Sequence, residues 1–312
     1  MNRRNFIKTS ALAAGALTAA PTLAQTTTSK LDVNYFSKPL QWMNYDLLAE
    51  SLAKAGADGI DLTVRPKGHV LPENVERDLP LAIKAAEKQG LKVEMIVTKV
   101  LSGDDPVQER VLKTAAQNGV KVYRMGYFFY DFKKKIEKNL EDISKTMEGI
   151  AKLNQSIGIT GCYQNHHAWK PGIFGGVIWD LHKVLKNIDP KWMGCQYDVR
   201  HAITECTGSW SLGTRLIAPW IRSICLKDFD FKGNRKGHVF PRNMQAGKGE
   251  VPWNEYFKML KELKVNVPAT VHIEWELLSK EEQKLPEAAK VKLTIERSTT
   301  ECAFYRNAYE KA

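Results

Sequence analysis

Histidine, aspartate and glutamate recur along this chain in short clusters, and each cluster closes an apolar run. Thr63-Val64-Arg65-Pro66-Lys67-Gly68-His69 closes the second such run and Tyr163-Gln164-Asn165-His166-His167 the fifth. Gln196-Tyr197-Asp198-Val199-Arg200-His201 closes the sixth, Cys225-Leu226-Lys227-Asp228 the seventh and Val271-His272-Ile273-Glu274-Trp275-Glu276 the eighth, while Arg124 stands in the fourth. If the runs are strands, side chains alternate between faces. Gln164 then shares a face with His166, Asp198 with Arg200, Cys225 with Lys227 and His272 with Glu274. Imidazoles and carboxylates gathered from several strands suit one divalent ion, such as Mn²⁺, Zn²⁺ or Co²⁺. Any one of these histidines is more often a hydrogen-bonded core residue than a ligand. Five of the seven (His69, His166, His167, His201 and His272) fall in the clusters, however, and together they favour a site. Cys162, Cys195 and Cys225 lie inside the runs and read as small buried hydrophobes.

The elements that must position these groups are legible. Strands are expected at 32–36, 59–64, 92–98, 121–126, 158–165, 192–198, 221–227 and 269–275, from short apolar runs. Amphipathic helices are expected between them, at 45–55, 79–89, 107–118, 134–157, 178–187, 212–218, 253–263 and 287–309. Gly56, Gly90, Gly119 and Gly158 stand where several helices must stop, and glycine accepts the left-handed conformation there at little cost. Eight strand-helix units over this length describe a (β/α)8 TIM barrel, an α/β fold. A doubly wound sheet would open with a glycine-rich turn, and here the first strand leads into Ser37-Lys38-Pro39-Leu40 instead. In a barrel the chemistry sits at the C-terminal strand ends, where the clusters are.

Composition sets the outer limits. The chain has 312 residues, 43% of them hydrophobic and 26% charged, as in an ordinary globular protein with a sizeable core. Five cysteines are too few, and odd in number, for a disulfide scaffold. The net charge of +11 could suit a polyanion, but the lysines around Lys133 to Lys145 alternate with Glu137, Glu141 and Asp142, as on a solvated helix face. No nucleic-acid partner is therefore expected. The first 24 residues read as a signal peptide: Arg3-Arg4 and Lys8, an Ala-rich stretch, then small residues before Gln25. The paired arginines resemble the twin-arginine export signal, which implies a periplasmic or exported protein. Residues 25–30 read as a linker and 31–312 as one barrel domain. Beyond the leader no apolar run is long enough for a membrane span.

At these residues the chain resembles the sugar phosphate isomerase/epimerase family, xylose isomerase-like barrels. The group also holds ketose 3-epimerases, inosose dehydratase and type IV apurinic endonucleases. The resemblance runs from Leu31 to the end. Asp61-Leu62-Thr63-Val64-Arg65-Pro66, Tyr163-Gln164-Asn165-His166, Gln196-Tyr197-Asp198, Leu226-Lys227-Asp228 and Gly247-x-Gly249 carry it, and they look like an exported subgroup. The resemblance implies one divalent ion held by Glu, Asp, His and Glu from strands five to eight. By position these are Gln164, Asp198, Cys225 and His272, of which only Asp198 is unchanged. A rebuilt shell of Gln164, His166, Asp198 and His272 is expected. The implied activity is metal-assisted proton abstraction beside a carbonyl of a small carbohydrate, giving isomerisation, epimerisation or β-elimination from a 3-keto-glycoside. Glu274 is the expected base, its pKa raised by Trp275 or loop closure. His201 is a second acid/base group, and Lys227 with Arg200 would stabilise the oxyanion. Arg65, His69, Arg124 and Arg200 would bind substrate. Export makes a non-phosphorylated sugar the expected substrate. A metal-dependent endonuclease and a non-catalytic sugar-binding barrel are the alternatives.

Overall fold

A computed structural model describes residues 30–312, apart from 169, 234–236 and 238. The expected leader, and all but the last residue of the expected linker, lie outside the described residues. The strands are β1 (Val33–Phe36), β2 (Gly59–Thr63), β3 (Lys92–Val97), β4 (Val122–Arg124), β5 (Thr160–Gln164), β6 (Met193–Asp198), β7 (Ile221–Leu226), β8 (Asp228–Gly233), β9 (Val239–Met244) and β10 (Ala269–Val271). The helices are α1 (Tyr45–Lys54), α2 (Val75–Lys88), α3 (Pro106–Gln117), α4 (Ile136–Ile157), α5 (Ile178–Leu185), α6 (Val199–Cys206), α7 (Trp210–Ile217), α8 (Trp253–Glu262) and α9 (Glu287–Lys311). Eight strands close a parallel barrel in the order β1-β10-β7-β6-β5-β4-β3-β2, with β1 pairing β2. β8 and β9 form a separate antiparallel hairpin.

The phase of the strands decides what enters the barrel. Tyr35, Tyr123, Tyr163 and Tyr197 are fully buried, and three of them bond to the surrounding helices. Tyr35 Oη meets Ser298 of α9 at 2.9 Å, Tyr123 donates to Asn154 of α4 at 2.9 Å, and Tyr197 meets Thr214 of α7 at 2.6 Å. Tyr163 donates to the Phe174 carbonyl at 2.9 Å. Each phenol buries its ring and satisfies its hydroxyl. These tyrosines therefore point outward, and the next residue on each strand points inward: Phe36, Arg124, Gln164 and Asp198. The four glycines expected to end helices all have positive φ, from 75° to 82°.

Three expectations change. The eighth strand stops at Val271, so His272 and Glu274 stand beyond the ladder. The sixth unit has two helices, and α6 starts immediately after Asp198. The β8–β9 hairpin, which sequence periodicity did not reveal, follows β7 through Lys227 alone.

That hairpin is tied down by Asp228. Its carboxylate accepts N–H bonds from Phe229, Gly247, Gly249 and Val251 and from the Trp253 indole, at 2.9 to 3.3 Å. A Cβ at Gly249 would lie 2.3 Å from both Asp228 Oδ1 and the Phe229 carbonyl. Gly247 has φ +72° and would press on Phe304. The Gly247-x-Gly249 motif is thus an anchor of the hairpin, and its backbone cannot approach so closely with side chains present.

Candidate active site

A cavity of about 250 Å³ opens at the C-terminal mouth, lined by Phe36, Lys38, Arg65, Arg124, Tyr127, Gln164, His166 and Glu274. On its floor Gln164 Oε1 accepts from Arg124 Nη1 at 2.7 Å and from the Tyr127 hydroxyl. Its Nε2 donates to Asp198 Oδ2 at 2.8 Å and to Cys225 Sγ at 3.3 Å. A guanidinium can only donate and a carboxylate only accept, so the amide orientation is fixed by its partners.

Asp198 ends β6 and caps α6, accepting from His201 N at 3.2 Å. Strand alternation would have paired Asp198 with Arg200. The first turn of α6 instead returns His201, three residues on, to 3.5 Å from Asp198 Oδ2. Lys227 is 3% exposed, and its Nζ lies 3.0 Å from Asp198 Oδ2, 2.7 Å from His201 Nε2 and 3.8 Å from Glu274 Oε2. Burial alone would depress its pKa, but Asp198 and Glu274 hold it above the ordinary lysine value, so it is a permanent cation.

Lys227 Nζ donates to His201 Nε2 at 2.7 Å, and His201 Nδ1 lies 2.7 Å from His167 Nδ1 and 2.9 Å from Arg200 Nη1. The same Arg200 Nη1 lies 2.7 Å from His167 Nδ1, so one guanidinium nitrogen sits between two imidazoles. Burial, with Lys227 next, pushes His201 well below the usual imidazole range, and burial with Arg200 pushes His167 to about 4. His166 Nδ1 faces the His167 carbonyl at 2.9 Å, which leaves Nε2 as its lone-pair atom. Burial and then Lys227 lower its pKa to about 3, so it is neutral at working pH.

Glu274 sits between Lys227 and Lys38, with Lys38 Nζ at 3.9 Å. Lys227 holds its carboxyl well below the usual range, against the effect of burial. The expected upward shift is therefore corrected. Trp275 does not supply it: its indole donates to Glu301 at 3.1 Å and its ring lines a different cavity.

His272 stacks on Phe36 at 4.3 Å, with Nε2 3.6 Å from Cys225 Sγ and 4.0 Å from Asp61 Oδ2. Burial pushes Asp61 up to about 6, and its Oδ1 has no hydrogen-bond partner among the described residues. Sequence reasoning gave no site role to Asp61, Tyr127, Phe36 or Lys38; Phe36 ends β1 as Arg124, Gln164 and Asp198 end their strands, and Lys38 lies two residues beyond it.

Of the expected substrate ligands, Arg65 and Arg124 reach the cavity. They stand over Phe36, their guanidinium carbons 5.8 and 5.7 Å from its ring centroid. His69 does not reach it: its ring bonds Thr63 Oγ1 at 3.2 Å and the Leu40 carbonyl at 3.1 Å, tying two loops together. Arg200 is buried behind the histidines, donating to Asn243 of the hairpin at 3.0 Å.

Two groups of side chains among the described residues come close enough to hold a metal ion: Asp198 with Cys225 and His272, and His166 with His167 and His201. Gln164 lies against Asp198 and Cys225 of the first group, whereas His166 belongs to the other. Their chemistry does not fit a four-ligand divalent site. Asp198 is the one carboxylate, and it already accepts from Lys227 and Gln164. The Gln164 oxygen already accepts from Arg124 and Tyr127, and Cys225 Sγ accepts from Gln164 Nε2 at 3.3 Å. In the second group, Lys227 and Arg200 already bond the imidazole nitrogens.

A model of the xylose isomerase-like TIM barrel matches residues 49–294. The chain belongs to that family. No curated protein is similar to it in sequence. Among solved structures, a D-psicose 3-epimerase from Clostridium cellulolyticum H10 has a TM-score of 0.61 at 13% identity, over 89% of this chain and 99% of that one. A 3-keto-D-glucoside 4-epimerase from E. coli has a TM-score of 0.60 at 12% identity, over 86% and 100%. A probable 3-DHS dehydratase from Bacillus anthracis has a TM-score of 0.61 at 13% identity, over 85% and 98%. At such identities the likeness is one of fold. Among the described residues no helix is long and apolar enough to cross a membrane.

Proposed function

We infer that this family member is a carbohydrate enzyme of the isomerase, epimerase or lyase type, acting by proton abstraction beside a carbonyl. The observation that carries the reading is the mouth cavity, where a neutral imidazole, His166, lies among Arg124, Gln164 and Glu274 with the Lys227 ammonium directly behind. The structural neighbours named as sugar epimerases, one of them a keto-glucoside epimerase, support the same class.

His166 is the base of choice, because its Nδ1 is turned to the His167 carbonyl, which sets the basic lone pair on Nε2, while Glu274 is held by two ammonium groups. It takes the proton from the carbon beside the carbonyl, and the electron pair moves onto the carbonyl oxygen. Arg124 and Lys227 stabilise the resulting enediolate. Return of the proton to either carbon gives isomer or epimer. Expulsion of a β-alkoxy group, protonated as it leaves, gives elimination. The substrate we propose is a non-phosphorylated ketose or keto-glycoside. The Arg3-Arg4 leader supports that reading, and replacing both with Lys should strand the precursor in the cytoplasm.

The test incubates the protein in D₂O with ketoses and 3-keto-glycosides. Deuterium should enter the carbon beside the carbonyl, and product analysis separates epimer from eliminated alcohol. His166→Gln should lower exchange by about 10²–10⁴-fold, the usual range for a lost general base. Should Glu274→Gln lose exchange while His166→Gln keeps it, the base is Glu274.

A further inference from the structure

We propose that the Lys227 ammonium stands in for a divalent ion at the barrel mouth, and that the protein works without a metal. The proposal rests on the enzymatic reading for what the charge does, but not for whether a metal binds. Three observations carry it. First, the positions where the resemblance implies ligands do converge, so the place for an ion is built: Gln164 meets Asp198 at 2.8 Å and Cys225 meets His272 at 3.6 Å. Second, the four implied ligand positions have lost most of their negative charge. Amide, thiol and imidazole stand at three of them and Asp198 is the one carboxylate, whereas hard divalent ions select for oxygen anions. Third, a positive charge is already there. Lys227 Nζ sits 3.0 Å from that carboxylate and 2.7 Å from His201 Nε2, with Glu274 completing the shell at 3.8 Å.

The arrangement is self-consistent as an ion's coordination sphere would be. Asp198 and Glu274 balance the ammonium, and His201 Nε2 accepts a hydrogen bond from it at 2.7 Å. The stem enters from the end of β7, the strand that carries Cys225, so the cation is covalently supplied and cannot dissociate. An added ion would meet Lys227 and Arg124 at close range in a site shielded from water, where like charges repel strongly. A fixed ammonium does for a developing oxyanion what a bound cation does, without an exchangeable ligand.

The experiment dialyses the purified protein against Mn²⁺, Zn²⁺ and Co²⁺ separately, then measures ions per chain by elemental analysis. The expected result is less than about 0.1 ion per chain, with a melting temperature unchanged by EDTA, since a structural or catalytic ion would stabilise by binding. Uptake near one ion per chain that is lost in Asp198→Asn overturns the proposal. A second arm measures deuterium exchange into substrate. Exchange should be unaffected by EDTA and should fall at least about 100-fold in Lys227→Met. Because Lys227→Met leaves Asp198 bare, Lys227→Met/Asp198→Asn is run beside it and should melt cooperatively with the same loss. A loss of more than about tenfold on EDTA treatment overturns the proposal. A protein that turns over no sugar defeats the proposed function, while the metal measurement still decides the role of Lys227.

Discussion

The charged side chains at the barrel mouth divide into those with partners and those without. Lys227, Asp198 and Glu274 neutralise one another, and removing one would leave another charge buried and bare. Arg65 differs. It lies half-buried over Phe36, and its side chain makes no hydrogen bond or ion pair to any described residue. A guanidinium facing a cavity in this state is free to meet a ligand. Arg65→Met should therefore cost little stability, within about 1 kcal/mol, because only a cation–π contact is lost. It should raise KM for the substrate more than it lowers kcat, as expected when uniform binding is removed. Steady-state kinetics and a denaturant melt on the same preparation check both halves.

At the scale of elements, the β8–β9 hairpin places Asn243 against both Arg200 and the Glu274 carbonyl, linking the sixth and eighth units of the barrel. Its root is the Asp228 carboxylate and the close backbone approach at Gly249. Gly249→Ala must push backbone apart, since the new methyl would meet a carbonyl at 2.3 Å. Asp228→Ala would leave several buried N–H groups unsatisfied, at roughly 1–3 kcal/mol each where water cannot replace the bond. Both variants should melt several degrees lower than the wild type and lose substrate affinity. Thermal melts followed by circular dichroism read the first, and ligand titration reads the second. A melting temperature equal to the wild type's in both would show that the hairpin is not anchored here.

The whole molecule carries a pH dependence that originates far from the cavity floor. Glu301 on α9 is buried, accepting from Ala246 N at 3.0 Å and from the Trp275 indole at 3.1 Å. Burial raises its pKa to about 7 from an ordinary 4.5. A raised carboxyl pKa means that the folded state binds its proton more tightly than the unfolded chain does. Its stabilisation is complete below about pH 4.5 and is lost as pH rises to about 7, up to about 3 kcal/mol at roughly 1.4 kcal/mol per pK unit. Urea melts of the wild type should show stability declining between pH 5 and 7. The same series on Glu301→Gln should be flatter across that window, and parallel curves would rule out Glu301 as the source.

Local sequence was enough for the barrel, because strand and helix periods, glycine stops and strand count are properties of neighbouring residues. The inward phase at four strands was also written locally: Tyr35-Phe36, Tyr123-Arg124, Tyr163-Gln164 and Tyr197-Asp198 each set an outward phenol before an inward site residue. The meeting of Gln164 with Asp198 follows from that phase and the barrel closure. What local sequence could not decide was which atoms face each other once the strands end. His201 reaches Asp198 because a helix begins there and changes the period from two to 3.6. His69 leaves the cavity because a loop carbonyl and a threonine capture both its nitrogens. Above all, the charge on each titratable group is set by neighbours distant in the chain. Lys227 lies 29 residues from Asp198 and 47 from Glu274, and only the closed barrel makes their three charges one site.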